Sequence, residues 1–234
     1  MRLQFNLASL LAFFILVLLL HEAHESAHYF SAWLLCGCPP ARDFLVWELC
    51  SNCTGEKQFL LASFAGPLAT YAFMWWGFSL LRPTTSAWQK TIGFALVTGA
   101  LPLPRWLAAI DRGGDEISTL RHVFTGAKTY QGVLLGGLIV LLLTVPPVWR
   151  AFKAIRNKQR ILIILAFLVI PWLLDRLLVE KFLNGKLAAA GVLMSPVYAG
   201  MPLLVILWQL FLLIAFALTA RKLKYLSEDS TQSF

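Results

Sequence analysis

The sequence predicts an all-α, polytopic membrane protein with about six transmembrane helices, on three observations. Hydrophobic residues make up 59% of the chain and charged residues 14%. Soluble domains carry about 45–50% and about 25%, so lipid is the main solvent of this chain. Six apolar runs approach the roughly 20 helical residues that a hydrocarbon layer of about 30 Å requires. The runs are continuous rather than alternating. Only helices and closed barrels satisfy the backbone in lipid, so this pattern selects helices.

The expected spans are residues 7–35, 59–81, 87–103, 133–148, 161–178 and 201–220. The first follows Arg2 and runs without a small-x-small cleavage site into a histidine-rich stretch, as a retained signal anchor does. The third and fourth are short. Pro102, Pro104, Pro146, Pro147 and Pro171 predict kinks or breaks. Trp75, Trp76, Trp106, Trp149 and Trp172 fall near span ends, as interfacial aromatic belts do. Asp175 and Arg176 read as the headgroup boundary of the fifth span, with a buried ion pair as the alternative, and residues 227–234 as a polar, frayed tail. A chain of 234 residues with these crossings is one transmembrane domain.

The net charge of +8 does not indicate a nucleic-acid partner, because the cations sit in short clusters between apolar runs. There they act as topology signals and headgroup contacts in a lipid bilayer. Residues 150–160 and 221–224 are rich in Lys and Arg, and with six crossings they share a side with the N-terminus and the 82–90 turn. That side is expected to be cytoplasmic. Cys36, Cys38, Cys50 and Cys53 then lie together in an outward loop. Their pattern fits two disulfides, a structural zinc or free thiols. Asn52-Cys53-Thr54 matches a glycosylation sequon, a short pattern of low specificity.

Chemistry concentrates in the first span, at His24-Glu25-Ser26-Ala27-His28. Histidines four apart on a helix project from one face and can converge on a metal ion. Zinc accepts such nitrogens at about 2.0–2.1 Å, and the intervening Glu25 can accept a proton from a zinc-bound water. His21, Glu22, His24, Glu25 and His28 interrupt an otherwise apolar run, with residues 29–35 apolar again beyond them. An ionisable group at bilayer depth costs about 2.5 kcal/mol or more, so such a cluster is functional by expectation. A solvated interfacial stretch is the bland alternative. His21 lacks the motif spacing and reads as a neighbour of the site or an interfacial residue; Glu22 points away from the pair.

Three further segments extend the pattern. Ala65-Gly66-Pro67-Leu68-Ala69 opens the second span, Leu101-Pro102-Leu103-Pro104 leads to an acidic stretch, and His28-Tyr29-Phe30 runs on to Cys36-Gly37. With the His-Glu motif they resemble the site-2 protease group of intramembrane zinc metalloproteases, over residues 5–125. The resemblance implies a metalloprotease-like core in residues 1–125, with additional transmembrane helices in 126–234. It also implies a third zinc ligand, an Asp after the Pro-rich turn. Asp111 and Asp115 both fall there. Asp115 is favoured, because Gly113 and Gly114 permit close backbone approach and Ile117 and Leu120 resume an apolar face. Two departures stand out: Gly99 or Ala100 replaces the family's Asn, and Glu116 rather than Gly follows the Asp. The family places its site towards the cytoplasm, whereas the Lys and Arg distribution places this one outward.

The expected function is hydrolysis of peptide bonds in or near transmembrane segments of a membrane protein or peptide substrate. One catalytic Zn2+ would be held by His24, His28 and Asp115, with Glu25 activating water. Two rival expectations are a metal-binding scaffold or maturation factor without activity, and a metal or proton transporter. The transporter predicts ionisable residues in the later spans, and the fourth and sixth contain none.

Overall fold

A computed structural model describes residues 1–228. Helix α1 (Leu7–Cys36) leads into a hairpin of β1 (Ala41–Arg42) and β2 (Trp47–Glu48), then α2 (Glu56–Leu80). Next come α3 (Ala87–Gly99), α4 (Pro102–Ile110), α5 (Asp115–Val123), α6 (Thr129–Ala154) and α7 (Arg160–Asp175). Helix α7 continues as a π-helix over Arg176–Ala188. A second hairpin, β3 (Pro196–Tyr198) with β4 (Met201–Pro202), precedes α8 (Leu203–Thr219). Among the described residues six helices are long and apolar enough to cross a membrane, so the chain is an all-α, multi-pass integral membrane protein.

Local chemistry sets the helix ends. The Asn6 side chain accepts the Ala8 N–H at 2.9 Å to start α1, and Gly37, left-handed at φ 71°, ends it. Ser86 and Gln89 cap α3 reciprocally. The third span is longer than expected. It breaks at Leu101, a non-glycine residue at φ 53°, and restarts with Pro102 at the first position of α4. Pro146 and Pro147 do not break α6. Pro147 cannot donate to the Leu143 carbonyl, and the Trp75 indole of α2 donates to it instead, at 3.0 Å.

Two faces emerge from the crossings. On one, the Met1 amine donates to the Ala154 carbonyl at 2.7 Å and Leu3 N–H to Asn157 Oδ1 at 2.8 Å. Leu3 also bridges Ser227, so residues 227–228 are held rather than frayed; the rest of the expected tail lies outside the described residues. On the other face, a Tyr29 hydroxyl–Ala199 carbonyl hydrogen bond ties the second hairpin to α1. Disulfides Cys36–Cys53 and Cys38–Cys50 staple the first hairpin there and use all four cysteines, which selects the first of the three expected uses. Arg42 of that hairpin reaches back to Glu22 at 2.8 Å, and Gln209 of α8 donates to the same carboxylate at 2.8 Å. Glu22 is therefore a buried tie between α1, the hairpin and α8.

Candidate metal centre

His24 and His28 lie one turn apart on the buried face of α1. Their Nε2 atoms are 3.2 Å apart. Asp115, the first residue of α5, places Oδ2 at 3.1 Å from His24 Nε2 and 3.8 Å from His28 Nε2. Ligand atoms about 2.0–2.1 Å from a tetrahedral zinc stand roughly 3.3 Å apart, so this donor set fits the ion. Among the described residues these three form the one group of His, Cys, Asp or Glu that could hold a metal. Asp111 is exposed at the end of α4 and does not join them.

Each histidine is oriented from behind. The His28 Nδ1–H donates to the Ala62 carbonyl at 2.8 Å, which leaves Nε2 with its lone pair. His24 Nδ1 lies 3.0 Å from Thr70 Oγ1 and 2.9 Å from Arg105 Nη2. Trp47 of the stapled hairpin stacks on the His28 ring, with centroids 5.4 Å apart. Enclosure opposes ionisation of Asp115. The His24 nitrogen 3.1 Å away and the Arg105 guanidinium outweigh it and hold the carboxyl far below the usual carboxylate range.

Helix α2 makes room for the histidines at Gly66. A Cβ there would lie 2.2 Å from His28 Nε2 and 2.7 Å from His24 Cε1. A cavity of about 270 Å³ opens beside the ligands, lined by Glu25, His24, Arg105, Asp115, Trp172 and Asp175 among others. Glu25 Oε1 stands 3.9 Å from His24 Nε2, on the ligand side of that cavity. The arrangement places two histidines and the carboxylates of Asp115 and Glu25 around one point. Such a point can host metal-assisted hydrolysis.

Sequence reasoning passes over several neighbours. Arg105 Nη1 pairs with Glu116 Oε1 at 2.6 Å, and the Tyr71 hydroxyl donates to the same carboxylate. The two departures noted in the sequence are adjacent here: the Pro-rich turn that lacks the Asn delivers Arg105, and Glu116 receives it. A cation inside an apolar span is the available signal. The sequence puts Asp175 at a headgroup boundary, yet it is 6% exposed and lies 2.7 Å from His21 Nδ1. The pairing joins helices 154 residues apart in sequence, a contact that local pattern cannot express. Comparison with protein-family models, curated proteins and solved structures finds no match to the chain.

Proposed function

We propose that this chain is an intramembrane zinc metallopeptidase of the site-2 protease kind, cleaving peptide bonds in or near transmembrane segments. One observation carries the reading: His24, His28 and Asp115 bring three possible ligand atoms together beside the Glu25 carboxylate, at a cavity lined by apolar helices. The resemblance of residues 5–125, which includes the same motif, agrees with it. His24, His28 and Asp115 would hold zinc, which when bound lowers the pKa of a water towards about 7 and polarises a carbonyl.

The chain's own residues do the rest. His28 keeps its Nδ1 proton on the Ala62 carbonyl and presents Nε2. Were its Nε2 given to zinc, His24 would carry the ring proton on Nδ1 and donate it to Thr70 Oγ1 at 3.0 Å, which requires the Arg105 Nη2 donor, 2.9 Å from the same nitrogen, to withdraw towards Glu116. Arg105 then keeps Glu116 as its partner and offsets the acidic wall of the cavity. Glu25 accepts the proton of the attacking water and returns it to the leaving amine nitrogen. Leu20, Phe73 and Trp172 give the cavity an apolar side that suits a membrane-borne peptide.

Zinc content and cleavage of membrane peptides by wild type, Glu25→Gln and His28→Ala test the proposal. Glu25→Gln is expected to keep zinc and lose about a hundredfold or more in kcat, and His28→Ala to lose both zinc and cleavage. Undiminished cleavage by Glu25→Gln overturns the mechanism. Wild-type zinc without cleavage of any membrane peptide favours the scaffold.

A further inference from the structure

Asp175 is the one acidic residue within the apolar stretch of α7, and the mechanism above does not use it. It is buried, and its Oδ1 lies 2.7 Å from His21 Nδ1. The other nitrogen of the same ring, Nε2, stands 3.6 Å from Glu25 Oε1, an ion-pair distance. That oxygen is also the one facing His24. One imidazole thus lies between two carboxylates, one from the far half of the chain and one proposed as the base.

Competing partners are already engaged. The nearby acid Glu22 is taken by Arg42, Ser26 and Gln209. Arg176, next to Asp175, pairs with Glu180 at 3.2 Å instead. A neutral imidazole has one N–H and matches one carboxylate; a doubly protonated ring matches both. The backbone changes from α to π geometry at the residue after Asp175, a local irregularity of the sort that marks functional positions. Apolar side chains would join α1 to α7 in lipid at lower cost, so an ionisable pair there points to function.

We propose that His21 and Asp175 are positioning residues: they form a bridge that aims the Glu25 carboxylate at the metal site. The C-terminal helices thereby complete the active site. This rests on the metallopeptidase reading for its kinetic consequence, while the bridge itself is measurable without activity.

Two measurements on the full chain in lipid nanodiscs decide it. In the zinc-loaded protein, His21→Gln and Asp175→Asn should each lower kcat for a membrane peptide by about ten- to hundredfold, with zinc content kept. KM should stay within about twofold, and the double variant should be no slower than the slower single one. Wild-type kcat in either single variant, or an effect confined to KM, overturns the positioning role. Nitrogen-15 spectra of labelled histidine provide the second measurement. There are four histidines, so His21→Gln assigns the signal. Both His21 nitrogens should be protonated in wild type, and Asp175→Asn and Glu25→Gln should each return the ring to a neutral form. A His21 signal unmoved by either substitution overturns the bridge, whatever the activity. Absence of cleavage by zinc-loaded wild type overturns the peptidase reading instead, and the spectra still decide the bridge.

Discussion

Gly66 is the residue on which both histidines depend. The spacing of His24 and His28 places two imidazoles on one face of α1, but they converge only because α2 presents no side chain opposite them. A Cβ at position 66 would occupy space within 2.2 Å of His28 Nε2 and 2.7 Å of His24 Cε1. Gly66→Ala should therefore empty the metal site while leaving the helix intact, since Ala favours a helix by about 1 kcal/mol over Gly. Zinc stoichiometry together with far-ultraviolet circular dichroism checks this; a Gly66→Ala protein that binds one zinc per chain would refute it. At this scale much is legible. His24, His28 and Glu25 follow from helical periodicity alone. Arg105, Thr70 and Glu116 do not, because hydrogen bonds between side chains of separate helices leave no trace in sequence spacing.

The place of Asp115 beside the histidines depends on how α5 is seated. Asp115 begins α5, and that helix lies in a groove made by two glycines one turn apart on α6. A Cβ at Gly136 would lie 2.7 Å from Ile117 Cγ1 and 3.0 Å from its Cα, and one at Gly132 would lie 2.8 Å from the Leu120 carbonyl oxygen. Small residues at this spacing let helices approach closely where apolar burial gives no drive. Gly136→Val should push α5 outward and carry Asp115 away from the histidines, weakening zinc binding about tenfold or more with no ligand touched. A Cβ at Gly137 would meet nothing within 4 Å, so Gly137→Val is the control. Competitive zinc titration of the two variants is the measurement, and equal affinities would refute the seating. The sequence favours Asp115 over Asp111 for its glycines. The packing adds a different reason, since Asp115 stands on a helix pressed inward and Asp111 at the exposed end of α4.

Across the whole molecule, the two faces differ in chemistry. The N-terminus, residues 154–157 and residues 226–228 are hydrogen-bonded together on the face rich in Lys and Arg. Both hairpins and both disulfides lie on the opposite face, and His24 and His28 are on the half of α1 that leads to it. Disulfides persist in oxidising compartments, so they agree with the charge asymmetry in directing the stapled face away from the cytosol. In sealed right-side-out vesicles, an impermeant reductant followed by an impermeant maleimide should label the cysteines, and inside-out vesicles should stay unlabelled. The reverse pattern would invert the topology.

Composition and periodicity reveal the solvent, the helical class, the approximate spans and the histidine pair on one face of α1. Each of these follows from composition or from a period within one helix. Span limits drifted where backbone accounting depended on a neighbour, as with the Trp75 indole that satisfies the carbonyl left by Pro147. The cysteine pairing, the grouping of Asp115 with the two histidines, the Arg105–Glu116 pair and the burial of Asp175 against His21 arise from packing. Those features join residues far apart in the chain, and their energies exist only once helices pack and exclude water from the polar groups between them.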